Sequence, residues 1–165
     1  MYKLFFLPFF LILTACNANE LVESRSDDNN EENKIILSEF SKMNIDSNFD
    51  QFSKKGEIKQ VDNTEIIDNC MYAENISGNI DYLVFDKRIS TATYLKSSFL
   101  GMSSSDLKLK IKHLKMINSE YDEDTYYLQH NIDESYGVKF YLVNEKVIEV
   151  TYGVLDKLQH QEGCS

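Results

Sequence analysis

Several features are scarce in this chain, and each shortage excludes something. The longest apolar run, Leu4 to Leu13, holds ten residues, about half of what a membrane-spanning helix needs. A polar, acidic stretch follows from Asn17, so no stop-transfer helix is expected. Basic residues are few: 17 Lys and Arg stand against 27 Asp and Glu, a net charge of −10. Phosphate recognition needs a basic patch, so nucleic acid is not an expected partner, and an electrostatically steered partner would be cationic. Tryptophan is absent and the single proline, Pro8, lies in the apolar run, whereas Tyr and Phe number ten each; this composition suggests an aromatic-rich sheet core.

Patterns that carry chemistry are missing too. His113, His130 and His160 have neither the i, i+4 nor the His-x-His spacing of a metal site, and no nearby cysteine completes one. The acidic run Glu120 to Asp124 lacks the alternating ligands and turn glycine of a calcium loop. Ser103, Ser104 and Ser105 do not sit in a G-x-S-x-G elbow, and neither a P-loop nor a dinucleotide fingerprint is present. The expectation is therefore a protein that is not an enzyme and has no catalytic residue, metal or cofactor.

What is present begins at the N-terminus. Lys3, the apolar run, and then Thr14 and Ala15 before Cys16 give the charged, apolar and small-residue order of a secretory signal. Leu13-Thr14-Ala15-Cys16 resembles the lipobox of bacterial lipoproteins. That resemblance implies that residues 1–15 are removed and that Cys16 carries diacylglyceride and an acylated amine. Two or more acyl chains give stable anchoring. Asn17 is not the aspartate that commonly retains such proteins in the inner membrane, which points to the outer membrane with the domain facing the periplasm. Residues 16–34 are polar, with too little apolar surface to offset the entropy of ordering, and read as a flexible tether. An acidic domain on that tether is expected to stand off anionic lipid.

Residues 35–165 read as one domain. Ile36, Leu37, Phe40 and Met43, then Phe49 and Phe52, lie near helical spacing and predict one or two short helices. A capping box at Ser47 and Asp50 starts the second, and Gly56 stops it. Ile58, Val61 and Ile66-Ile67 lead into Cys70. The clearest internal signal is a gapless match of residues 82–94 with residues 140–152, at an offset of 58. Both segments read as β-hairpins, with turns near Asp86-Lys87 and Asn144-Glu145. Between them Ser103 and Asp106 open a helix expected to run from Ser104 to Asn118, and Tyr126-Tyr127-Leu128 reads as a strand. The expected fold is α+β: an antiparallel sheet built from two related hairpins, with one to three helices on one face.

With Cys16 assigned to the lipid, Cys70 and Cys164 remain, in a compartment where disulfides persist. One bridge between them closes the fold and fastens the C-terminal tail. The alternative is a free or catalytic thiol pair, although neither cysteine lies in a C-x-x-C or beside a histidine.

Phe99 to Ile111, FLGMSSSDLKLKI, resembles the helix start of small envelope lipoproteins of the SmpA/OmlA type and of related β-lactamase-inhibitor-like domains. That resemblance implies helices paired with an antiparallel sheet. Asn69-Cys70-Met71-Tyr72, Leu83-Val84-Phe85-Asp86, Gly137-Val138-Lys139-Phe140 and the ending Glu162-Gly163-Cys164-Ser165 are similar to a group of bacterial exported proteins with a cysteine before the first hairpin and a terminal E-G-C-(A/S). This second likeness supports the bridge and implies no activity. SmpA-type proteins form a compact single unit, whereas this chain adds Ile35 to Ile67 and a C-terminal bridge, so outer-membrane assembly does not transfer with the motif. The functional expectation is a lipid-anchored envelope protein with a protein-binding role of the inhibitor or immunity type, toward a basic periplasmic partner. A structural accessory of the outer membrane is the alternative.

Overall fold

The computed structural model describes residues 34–61, 68–118, 125–158 and Cys164. Among them, eight strands form one antiparallel sheet: β1 (Ile58–Gln60), β2 (Cys70–Asn75), β3 (Ile80–Phe85), β4 (Arg88–Tyr94), β5 (Lys115–Asn118), β6 (Thr125–Asn131), β7 (Tyr136–Val143) and β8 (Lys146–Val154). Four helices accompany them among the described residues: α1 (34–40), α2 (Phe49–Lys54), α3 (Ser104–Lys110) and α4 (Leu155–Leu158). The spatial order β1-β2-β3-β4-β8-β7-β6-β5 makes two four-stranded meanders joined through β4 and β8.

The two halves repeat in detail. Each central hairpin turns through two consecutive left-handed residues, Asp86 and Lys87 (φ 48° and 63°) in one half, Asn144 and Glu145 (φ 48° and 63°) in the other. Such turns match the twist of the flanking strands. A register shift falls between Leu83 and Val84 in β3 and between Tyr141 and Leu142 in β7. Ile89 exchanges backbone hydrogen bonds with Asp46 and Ser47 just as Val147 does with Gly101 and Met102. Asn48 bridges Arg88 where Ser103 bridges Lys146, and a helix follows each bridge. At the seam, Thr93 pairs with Thr151; these residues hold the same place in the repeat, and their hydroxyls hydrogen-bond at 3.0 Å. A local two-fold axis thus passes between them.

Period-two alternation sets the core. Val84, Ile89 and Ala92 from one half and Val138, Phe140, Leu142, Val150 and Tyr152 from the other point to one face, where Ile36 of α1, Phe49 of α2 and Leu107 of α3 cover them. Burying each large side chain contributes about 1.5–3 kcal/mol. Glu39 is the polar anchor of α1. Its carboxylate, 6% exposed, accepts from the Ser97 hydroxyl (2.7 Å), the Ser98 amide (2.8 Å) and the Tyr152 hydroxyl (2.7 Å). Burial alone would push this carboxyl up, but the donors from Ser98, Ser97 and Tyr152 outweigh it and hold it below its ordinary value of 4.5.

Three expectations need correction. The helix opened by Ser103 ends at Lys110 rather than Asn118. Its start is as predicted, with the Ser103 hydroxyl accepting from the Asp106 amide. Ile111, however, is extended and His113 is left-handed (φ 61°), and Lys115–Asn118 pairs with β6 as an edge strand. Ser47 does not cap α2: Asn48 holds the cap position without a side-chain bond, and the Ser47 carbonyl accepts from the Ile89 amide. The sheet is also larger than two hairpins, and its helices do not share one face. The parity of Gly137 and Lys139 on β7, opposite to Val138 and Phe140, puts α4 on the other side.

Candidate functional site

The second face of the sheet is where the fold leaves polar and aromatic side chains together. Its middle row crosses all eight strands in register: Lys59, Glu74, Asp81, Thr93, Thr151, Lys139, Gln129 and Lys115. Tyr127 and Tyr141 stack beside this row, with ring centroids 4.8 Å apart, and the Lys139 ammonium lies 4.7 Å from the Tyr127 ring centroid.

One end of this face is covered by the chain itself. Leaving β8, α4 folds back so that Leu158 is 1% exposed. The close approach requires Gly137, since a Cβ there would come within 2.6 Å of Leu155 Cδ2 and 3.3 Å of Leu158 Cδ1. Lys139 Nζ donates to the Leu158 carbonyl at 2.8 Å, satisfying an orphan acceptor at the helix end. Burial lowers the Lys139 pKa, partly countered by the Glu149 carboxylate. Lys157 Nζ lies 4.2 Å from the Phe85 ring centroid. Beyond α4, Cys164 is bonded to Cys70 at the start of β2, with Cα atoms 5.4 Å apart, and its amide donates to the Tyr72 hydroxyl at 3.2 Å.

Among the described residues no such cover lies over the other end, which holds a groove of about 640 Å³. Its carboxylates are Glu74, Asp81 and Glu149, and Tyr72, Leu95 and Ile148 stand among its walls. These three apolar side chains are 41%, 48% and 53% exposed, and Ile148 is pushed out by the bulge opposite Tyr141 and Leu142. Lys59 pairs with Glu74 at 2.8 Å. Among the described residues, no cation forms an ion pair with Asp81 or Glu149. Burial, and then the Glu74 charge, raise the Asp81 pKa above its ordinary 3.8. The groove can therefore attract a cationic group and cover apolar surface around it.

Of the residues singled out from sequence, Cys70 and Cys164 are joined. Cys16, residues 16–33, Ile66-Ile67, the acidic run 120–124 and His160 lie outside the described residues. His113 sits in the turn after α3 and His130 in β6 on the helix-packed face. Among the described residues, no three His, Cys, Asp or Glu side chains are placed to share a metal ion. The serine cluster serves the start of α3: Ser103 caps it, and Ser104 donates to Glu145 in the β7–β8 turn. The groove carboxylates and α4 were not found from sequence. The offset of 58 could have flagged the first group, because it sets Asp81 against Lys139 and Glu149 against Thr91.

Comparison with known proteins returned no matching family model, no matching curated protein and no matching solved structure.

Proposed function

We propose that this is a lipid-anchored cell-envelope protein with a non-catalytic, protein-binding role in the periplasm, of the inhibitor or immunity type. The anchor is Cys16, behind an export signal of residues 1–15, and residues 16–34 tether the domain to the outer membrane. One observation carries the binding role: the open sheet face presents exposed apolar side chains, Tyr72, Leu95 and Ile148, around the carboxylates Glu74, Asp81 and Glu149. Apolar contact area edged by charge is what protein partners use, and small ligands are better held in enclosed sites with a few convergent polar groups. The acidic balance of the chain favours a basic partner.

The test is crosslinking of the lipidated protein in its native envelope, followed by affinity purification and mass spectrometry at low and high salt. A stoichiometric soluble basic protein, released by salt, is the expected result. Co-purification of integral membrane assembly components would replace this reading with a structural role in the outer membrane, and the absence of any stoichiometric protein would overturn it.

A further inference from the structure

The internal two-fold relates the end of the open face that α4 covers to the end that no described residue covers. Shifting by 58 residues, Lys139 in the seat of α4 corresponds to Asp81, Gly137 to Asn79 and Thr91 to Glu149. The groove is therefore the counterpart of the α4 seat, on the same backbone geometry but with different side chains. In the occupied seat, a cation, Lys139, meets a carbonyl at the end of α4. In the counterpart the side chains at and beside the equivalent positions are carboxylates, and the apolar groups Leu95 and Ile148 that an occupant would cover are exposed.

We propose that this groove seats a short cationic segment of the partner protein, with lysine or arginine directed at Asp81 and Glu149 and flanking apolar side chains covering Leu95, Ile148 and Tyr72. The occupant mirrors what the chain supplies to its own seat: α4 is Leu155-Asp156-Lys157-Leu158, two leucines flanking a lysine, and that lysine lies over an aromatic ring. Charge complementarity sets the sign of the partner. Glu74 is paired with Lys59 and Glu149 acts on Lys139, so three carboxylates stand against two cations and Asp81 is the one that leaves the groove net negative. A second copy of this acidic chain would meet repulsion there. This inference rests on the protein-binding reading above and narrows it to one end of one face.

Two measurements test it separately from that reading. In the first, the purified, isotope-labelled protein is titrated by NMR with an amidated eight-residue peptide of equal parts leucine and lysine, and with its twin carrying glutamate in place of lysine. Saturable shifts centred on Asp81, Thr93, Leu95 and Glu149 are expected with the lysine peptide alone. The double variant Asp81→Asn with Glu149→Gln, whose changes lie on the exposed face, should weaken that binding at least about tenfold. Shifts centred on Tyr127 and Tyr141 instead, equal binding of both peptides, or no saturation would overturn the proposal. In the second, a photo-crosslinking residue replaces Leu95, or Leu109 on the opposite face, in the full protein in its envelope. Crosslinks from position 95 to a lysine- or arginine-bearing peptide of the partner are expected. A partner captured from position 109 alone would sink the groove and leave the protein-binding reading standing. Crosslinks from neither position would remove both.

Discussion

Breaking the Cys70–Cys164 bridge should have two separable effects. The cysteines are 94 residues apart in sequence. In the chain-entropy account, releasing a loop of that length returns enough freedom to the unfolded chain to destabilise the fold by about 4 to 5 kcal/mol at 25 °C. With a urea slope of about 2 kcal/mol per molar, ordinary for a small domain, the midpoint should fall by about 2 M. Urea unfolding with and without reductant measures this, and the double variant Cys70→Ser with Cys164→Ser should coincide with the reduced protein. The second effect is local. The bridge anchors Cys164, six residues after the end of α4, to β2, so its loss should let α4 leave its seat before the sheet unfolds. The Leu155 amide, bonded to the Ser135 carbonyl, should then exchange much faster, while sheet amides such as those of Phe140 and Val150 lose only the global amount. A stability change under about 1 kcal/mol, or equal acceleration at Leu155 and Phe140, would refute the reasoning: the first would deny that the loop constrains the unfolded chain, the second that α4 is a separable cover.

Other substitutions probe the scaffold. Glu39→Gln places an amide where three donors converge and should cost about 3 kcal/mol in urea unfolding. Because the folded-state pKa of Glu39 is depressed, its stabilisation is full above about pH 4.5 and is lost as pH falls through the folded value, so the gap between the wild type and Glu39→Gln should narrow on acidification; a constant gap would disprove the ionic account. Gly153→Ala should cost about 2–3 kcal/mol, since the new Cβ would lie 2.7 Å from the Ser90 carbonyl oxygen and 3.0 Å from Thr91 Cα, backbone atoms of the seam between the halves; a neutral variant would show that the seam can open. Lys87→Gly, at φ 63°, should stabilise by about 0.5–1 kcal/mol by relieving a left-handed residue. Glu145→Gly has the same φ but forfeits the bonds from Ser104 and Tyr126, so its thermal midpoint should fall; a matching rise at both sites would show that the Glu145 contacts are inert.

What could be read from the sequence was local. The hairpins are visible because their turns and alternating strands lie within thirteen consecutive residues. The start of α3 is visible because Ser103 caps it with its own hydroxyl. The end of α3 is not, because Ile111, Leu114 and Ile117 suit a helix as well as an edge strand, and pairing with β6 decides between them. Of the strands outside the hairpins, β6 was legible at Tyr126-Tyr127-Leu128, but its kinship with β2 was hidden by three extra residues. Four residues separate Asn75 from Ile80, whereas seven separate His130 from Val138, the matching pair in the second half. The correspondence of β2 with β6 therefore runs at an offset of 55, and the likeness of Tyr72 to Tyr127 falls outside a gapless match. The bridge was legible from the cysteine count, once Cys16 was set aside on the expectation that it carries a lipid. The seat of α4 was not, since four residues carry no periodic signal and only the packing against Gly137 reveals the helix.

The open face combines a repeated backbone with unrepeated chemistry. Residues 58 apart share strand position, register shift and turn angles, so backbone requirements alone would allow the same side chains at both. Thr93 and Thr151 obey that expectation on the axis itself. Off the axis the charges reverse: Lys139 faces a carbonyl that α4 brings to it, whereas Asp81 shares its surroundings with Glu74 in an open groove. With α4 in place the buried Lys139 has the Leu158 carbonyl as acceptor, which an ammonium withdrawn from water needs. By the same reasoning, carboxylates set close together beside exposed leucine and isoleucine side chains carry mutual repulsion that a seated cation would relieve. The fold thus uses one seat for its own closure and leaves the related one charged for the opposite sign.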